Sequence, residues 1–384
     1  MATYSSIAII GAGPSGLTLA RLLEINNIDY MVYERDESPE PKFINQGGTL
    51  DIHASSGQVA LKEARLFDEF KSIARWDASR VFMQNPSGTV TAVFGDERDA
   101  PEIDRLQLRK LLLDSIPNDK IRWGHRVSTS ASGFRAIVGA DGAWSKVRPL
   151  LTSAKPKYSG KVFIEGSISH NNPSYTAALE HAGPGNMLAM GQHKIMAVQQ
   201  LSDRSYRFYM GMDAPEKLYR RPLGHEDTED IRQKFLSSPE FFANWAPNLK
   251  EYLANAEGPF HAWPLYRLPV SSVSWKRVPS LTLLGDAAHL ATPLVGEGVN
   301  MAMLDALMLA KAIVKYCKQA GGAHIEEGQL ENALKEYERE MFVRGQDYIR
   351  RCMAREVEFF SENTAEAFIN MINGAVDDGQ EDAR

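Results

Sequence analysis

Short apolar runs that end in glycine or beside an Asp-Gly pair recur along the chain. Ile7 to Ile10 contains no polar residue, enters a glycine turn, and is followed by helix-spaced apolar positions from Leu17 to Glu24 and a second apolar run, Tyr30 to Tyr33. Continuous runs of this length read as strands buried on both faces, so the pattern predicts a β-α-β unit within about thirty residues. Ala136 to Ala140, running into Asp141-Gly142, and Leu281 to Leu284, running into Gly285-Asp286, predict two more such strands. Val299 to Cys317 predicts a long helix after the last of them, and Leu106 to Ser115 a shorter one.

Elsewhere the period changes. Val81 to Val93 alternates around Asn85-Pro86-Ser87-Gly88, which predicts a hairpin. Beyond Pro149, Lys161 to His170, Met187 to Met190, Ile195 to Gln200 and Tyr206 to Met212 are short and bounded by breakers such as Asn171, Pro173 and Gly183 to Gly185. They predict a mostly antiparallel sheet. Asp227 to Tyr252 predicts one or two helices, and Gln329 to Asn363 terminal helices. The expected architecture is α/β: a discontinuous dinucleotide-binding domain of residues 1–75, 101–150 and 276–325, and an inserted substrate domain of residues 76–100 and 151–275. C-terminal helices over 326–373 and a frayed tail over 374–384 complete it.

Composition narrows the class. With 384 residues, 43% of them hydrophobic, the chain can bury a full core, and 43 basic against 49 acidic residues leave a formal charge of −6 without a basic block. No nucleic-acid surface and no membrane span are expected, and small-molecule chemistry is the better prior. Two cysteines, Cys317 and Cys352, exclude a disulfide framework and a CxxC pair, and the scattered histidines offer no metal site, so a cytoplasmic protein is expected.

The chemistry concentrates in glycine-rich turns. Gly11-Ala12-Gly13-Pro14-Ser15-Gly16 follows a strand and opens a helix. Its first glycine allows the tight turn, its second lets backbone approach a pyrophosphate, and its third lets helix and strand pack closely. Glu34 closes the second strand eighteen residues after Gly16, where a carboxylate can accept ribose hydroxyls. This motif serves FAD and NAD(P) alike. The run Leu281 to His289 separates them, because it delivers Gly285 and Asp286 to the carboxyl end of a strand where the Asp can accept from ribityl hydroxyls. Directly after it, Pro293-Leu294-Val295-Gly296-Glu297-Gly298-Val299-Asn300 supplies a turn into a helix whose free N–H groups can stabilise negative charge on a reduced flavin. His289 reads as a structural hydrogen bonder rather than a proton shuttle, and no catalytic acid or base is singled out.

Taken together, Ile9 to Gly16, Val138 to Ser145 and Gly285 to His289 resemble the class A, single-component flavoprotein monooxygenases of the para-hydroxybenzoate hydroxylase fold, a glutathione-reductase-like two-dinucleotide Rossmann fold. Gln46 to His53 and Met301 to Leu307 are most similar to the tetracycline-inactivating hydroxylases and their fungal relatives. The resemblance implies FAD contacts from Glu34, Arg35, Asp51, Arg105 and Asp286, with a solvated helix-start cation as the alternative reading of Arg105. It implies that Asp141-Gly142 serves the pyrophosphates of FAD and of a transient NADPH or NADH, with Arg148 as the neighbouring cation. The implied activity is hydroxylation of an aromatic or polyketide-like small molecule by O2 through a flavin C4a-hydroperoxide. The alternatives are a flavin oxidase or reductase, or an inactive truncated paralogue. Two features depart from the family. Only Ser128 to Ile137 separates Val127 from Val138, where a further hairpin is usual. The positions matching the drug-binding polar residues are Glu165, Met187 and Arg207. The methionines Met187, Met190, Met196, Met210 and Met212, with Tyr209, read as core before they read as a substrate wall.

Overall fold

The computed structural model describes residues 7–40, 48–126, 133–216, 225–318, 327–362 and 364. The first half of the chain runs β1 (Ile7–Ile10), α1 (Pro14–Glu24), β2 (Tyr30–Tyr33), β3 (Thr49–Asp51), α2 (Gly57–Glu63), α3 (Phe67–Ile73), β4 (Val81–Gln84), β5 (Val90–Phe94), β6 (Glu102–Asp104), α4 (Arg105–Asp114), β7 (Ile121–Arg122) and β8 (Ala136–Gly139). The second half runs β9 (Lys157–Ile168), α5 (Tyr175–His181), β10 (Asn186–Gly191), β11 (Lys194–Gln200), β12 (Tyr206–Asp213), α6 (His225–Ser237), α7 (Pro247–Asn255), β13 (Glu257–Arg267), β14 (Leu281–Leu283), α8 (Asp286–His289), α9 (Gly298–Lys318) and α10 (Glu327–Phe359).

Two units emerge: Met1–Ala74 with Ile103–Lys157 and Tyr266–Cys352, and Arg75–Glu102 with Tyr158–Leu265 and Met353–Arg384. In the first, five parallel strands lie in the order β14-β8-β1-β2-β7. Ile7, Ala8 and Ile9 of the central β1 have no exposure at all, which is why that strand carries apolar residues on both faces. Helix α1 starts with Pro14 in its first turn, buries Leu17, Leu19 and Leu23, and packs against α9. Each leucine buried this way contributes about 1.5–3 kcal/mol relative to exposure. The segment from Ser128 to Ile137 lies partly outside the described residues. Around it, β7 pairs only two residues with β2, and His125 and Phe134 stand edge-on to Tyr33 with ring centroids 5.8 and 5.7 Å away.

In the second unit, seven strands follow the order β13-β9-β12-β11-β10-β4-β5, and β10 with β4 is parallel within an otherwise antiparallel set of recorded pairings. One face of this sheet, carrying Val162, Ile164, Phe208, Met210, Met196 and Val198, packs on Phe235, Phe242, Trp245 and Leu249 of the segment from α6 to α7. Of the region expected as terminal helices, residues 327–359 form one continuous helix, α10, while most of 363–373 and the tail expected to fray, residues 374–384, lie outside the described residues. No helix among the described residues is long and apolar enough to cross a membrane.

Candidate cofactor and substrate sites

The glycine loop is built by contact. A Cβ on Gly11, whose φ is +112°, would lie 2.4 Å from the Ala140 carbonyl oxygen, and one on Gly16 would lie 2.0 Å from the Gly11 carbonyl oxygen, so both positions require glycine. Gly13 is different: nothing lies within 4 Å of where its Cβ would be. The face of the loop at the first turn of α1, with buried Ser15 behind it, is therefore open. The buried Glu34 carboxylate accepts from the Ala12 N–H at 2.6 Å and from the Asp36 N–H at 3.0 Å, tying the end of β2 to the loop, while Arg35 beside it is exposed.

At the end of β8, Asp141 accepts from the Lys146 N–H at 2.6 Å through Oδ2, and its buried Oδ1 has no partner among the described residues. Gly142, at φ +75°, also faces open space. Arg148 does not stand as a free cation here. It is buried, donating to the carbonyls of Ala287 at 2.7 Å, Ala143 at 2.8 Å and Asp286 at 3.2 Å, and burial lowers its pKa against the pull of Asp141 and Asp286. Its guanidinium is spent on backbone, bracing the segment after β8 to α8.

Past β14, the Gly285 N–H donates to Asp305 Oδ2 at 3.1 Å. The Asp286 side chain meets solvent yet is enclosed by protein, and that withdrawal from bulk water raises its carboxyl pKa despite His289, Arg105 and Arg148. Beneath it, His289 Nε2 lies 2.5 Å from Asp305 Oδ2, and Arg344 donates to Asp305 Oδ1 at 3.0 Å. Burial presses His289 toward neutrality, but the Asp305 carboxylate outweighs it and raises the imidazole above its ordinary pKa. Burial likewise opposes the charge on Asp305, and His289 with Arg344 holds that carboxyl below its ordinary value. His289 is thus the structural hydrogen bonder expected. Pro293 begins a single 3-10 turn, Gly296 follows at φ +73°, and the Met301 N–H makes the first backbone bond of α9, to the Glu297 carbonyl at 2.8 Å. Residues Gly298 to Asn300 therefore begin α9 without intrahelical acceptors for their N–H groups. The buried Asn300 amide is committed to backbone, donating to the Asp51 carbonyl and accepting from the His53 N–H, both at 2.8 Å. Asp51 also meets His53 Nε2 at 2.9 Å. Arg105 is exposed at the start of α4, and its backbone N–H donates to the Gly48 carbonyl.

In the second unit, the sheet face turned away from the core of α6 and α7 carries a different set. Strand parity puts Glu165 of β9 and Tyr209 of β12 opposite one another, with Arg207 two residues along β12 on the same face. Glu165 and Arg207 are buried, and burial raises the Glu165 carboxyl despite Arg207, a hydrogen bond from Trp263 and the nearby His261. Met187 does not join them. It pairs with Val198 and lies in the helix-packed core with Met196, Met210 and Met212, because its strand parity is opposite.

A family profile described as FAD binding domain matches residues 134–341. The chain belongs to this FAD-binding family. Relatives along its length are named as FAD-dependent monooxygenases and hydroxylases. The monooxygenase penA of Penicillium thymicola is 29% identical, covering 95% of this chain and 98% of its own. The FAD-dependent urate hydroxylase of Klebsiella pneumoniae is 26% identical, over 90% and 88% of the two chains. The fold matches that of Klebsiella pneumoniae HpxO complexed with FAD and uric acid, with a TM-score of 0.76, 23% identity and coverage of 97% and 96%. The penA alignment spans 425 positions for 95% of these 384 residues, so about sixty of its positions have no counterpart here.

The residues present fit FAD. Open backbone at Gly13 and Gly142, the unpartnered Asp141 Oδ1 and the solvated but enclosed Asp286 are what a long phosphate- and hydroxyl-bearing ligand needs from an α/β cradle. Sequence reasoning missed Asp305, Arg344, Tyr348 and Arg351. Asp305 carried one signal, being the only acidic residue of α9 and set in its mostly apolar first half, whereas the α10 residues carried none.

Proposed function

We propose that this protein is an NAD(P)H-consuming, FAD-dependent monooxygenase that hydroxylates an aromatic or polyketide-like small molecule. One atom of O2 enters an electron-rich C–H bond, the other leaves as water, and NAD(P)H supplies the two electrons. The observation carrying this reading is the cradle formed by Gly13, Asp141, Asp286 and the Gly296–Gly298 turn in a chain whose family binds FAD.

FAD, when bound, supplies hydride acceptance and O2 activation. The glycine loop and the start of α1, at Gly11, Gly13, Ser15 and Gly16, would hold the pyrophosphate, Glu34 and Arg35 the adenosine end, and Asp286 the ribityl hydroxyls, with Arg105 and Asp141 adding charge and hydrogen bonding. Backbone N–H groups of Gly296 to Asn300, placed by Pro293 and backed by Asp51, would offer preorganised donors to negative charge on a reduced flavin. On the second unit, Glu165 and Arg207 orient a planar, hydrogen-bonding ring. The urate named for one relative and the 3-amino-4-hydroxybenzoate named for another, from Streptomyces platensis, are rings of that class.

A second reading, a flavin protein without oxygen transfer, is favoured by one observation: the sixty positions of penA that have no counterpart here. Turnover under 18O2 with NADPH and a panel of hydroxybenzoates and purines separates the two. A product carrying one 18O atom, formed with matching NADPH consumption, is expected. NADPH consumption that yields only hydrogen peroxide across the panel would support the second reading.

A further inference from the structure

The second half of helix α10 lies beyond residue 341, where the matched family profile ends, yet one stripe of it touches His289, the residues around the Gly296 turn and the start of α9. Arg344, Tyr348 and Arg351 are spaced four and three residues apart and so share a face. Arg344 holds Asp305, which in turn bonds His289 and the Gly285 N–H. Tyr348, buried, stands edge-on to His289 at 5.9 Å between ring centroids and packs with Met301 and Cys352 in a cluster that includes Val295. Arg351 grips Glu297, the residue between Gly296 and Gly298, through two parallel bonds of 2.6 and 2.7 Å. Gly345, a residue that costs about 1 kcal/mol inside a helix, is explained by the same contact. A Cβ there would come within 3.0 Å of His289 Cβ.

We propose that α10 is the positioning element of the flavin site, with the Arg351–Glu297 pair setting both the shape and the charge of the turn. The proposal rests on the flavin reading above. The turn must offer N–H groups to developing negative charge, and Glu297 places a carboxylate in its midst. Arg351, which also bonds Asp347 on its own helix through Nε at 2.9 Å, offsets the charge of Glu297 and fixes its direction with a planar fork, so the donors stay aligned and less negative charge opposes flavin reduction. Arg351 touches neither cofactor nor substrate in this scheme and acts only through Glu297.

Full-length protein carrying Arg351→Met, Glu297→Gln or both tests this, with FAD affinity read from flavin fluorescence quenching, the flavin midpoint potential, and the thermal midpoint of the apoprotein. Arg351→Met is expected to weaken FAD binding about tenfold. It should also weaken binding of reduced relative to oxidised flavin by a similar factor, a shift of about 30 mV to more negative potential. Adding Glu297→Gln should return the potential to the wild-type value, a rescue that mere packing does not predict. An Arg351→Met protein with wild-type affinity and potential, or a double variant no closer to wild type than the single, overturns the proposal. Should Arg351→Met fail to fold, Arg351→Lys keeps the charge and loses the fork, and wild-type affinity in that variant overturns it equally. Wild-type protein that takes up no FAD would overturn the flavin reading and the clamp together, whereas wild-type uptake with indifferent variants overturns the clamp alone.

Discussion

The cradle of the first unit and the sheet face of the second differ in what holds their functional atoms. In the cradle the working groups are largely backbone: Gly11 and Gly16 shape a loop because side chains do not fit, and Arg148, Glu34 and Asn300 spend their polar atoms on carbonyls and N–H groups. On the sheet face the working groups are side chains, Glu165, Arg207 and Tyr209, displayed on strands that any alternating sequence could form. Backbone constraint makes the first region intolerant and general. Side-chain display makes the second tolerant and specific, so substitutions should separate FAD retention from substrate selection.

The largest expected effect lies under the cradle. Replacing Asp305 with alanine leaves His289 and Arg344 facing a void and should cost about 3–5 kcal/mol of stability, measured by urea denaturation of the apoprotein. Gly11→Val comes next. Its side chain collides with the Ala140 carbonyl, and it should cost about 1–3 kcal/mol or more and abolish FAD retention on gel filtration. Glu165→Gln should sharpen the contrast by raising the KM for a true substrate about tenfold while leaving FAD affinity at the wild-type value, seen in paired steady-state and FAD-titration assays. An Asp305→Ala protein as stable as wild type, or a Glu165→Gln protein that loses FAD, would erase the distinction between the two regions.

The buried pair also carries a pH signature. Asp305 is depressed, so its contribution is present above the unfolded carboxyl value of about 4 and is lost as pH falls through its lower folded value. His289 is elevated, so its contribution is full below about 6.5 and is lost as pH rises through its folded value. Apoprotein thermal midpoints should therefore fall above neutral pH, and Asp305→Asn should flatten that limb. The smallest effect is expected at Met187→Leu, a core exchange of nearly equal volume, which should cost less than about 1.5 kcal/mol and leave the KM unchanged.

These regions also differ in how legible they were. The glycine loop at Gly11, Gly13 and Gly16 and the strands that end beside Glu34 and Asp286 could be read because loop geometry demands glycine at fixed separations and the strands are mostly apolar. Arg148 was misread because a cation beside Asp-Gly looks available until its burial and carbonyl partners are known. Met187 was aligned with Glu165 and Arg207 only by resemblance and read first as core, and the register across β9 to β12 puts it there, on the face opposite Glu165 and Arg207. Arg344 and Arg351 were invisible because their partners lie 39 and 54 residues away along the chain.

The most direct test of the central claim is the visible spectrum of the purified protein titrated with FAD and then with NADPH under anaerobic conditions. One FAD bound per chain, flavin bands that bleach on NADPH addition, and their return when air is admitted are expected. A protein that binds no FAD at any concentration would contradict the claim.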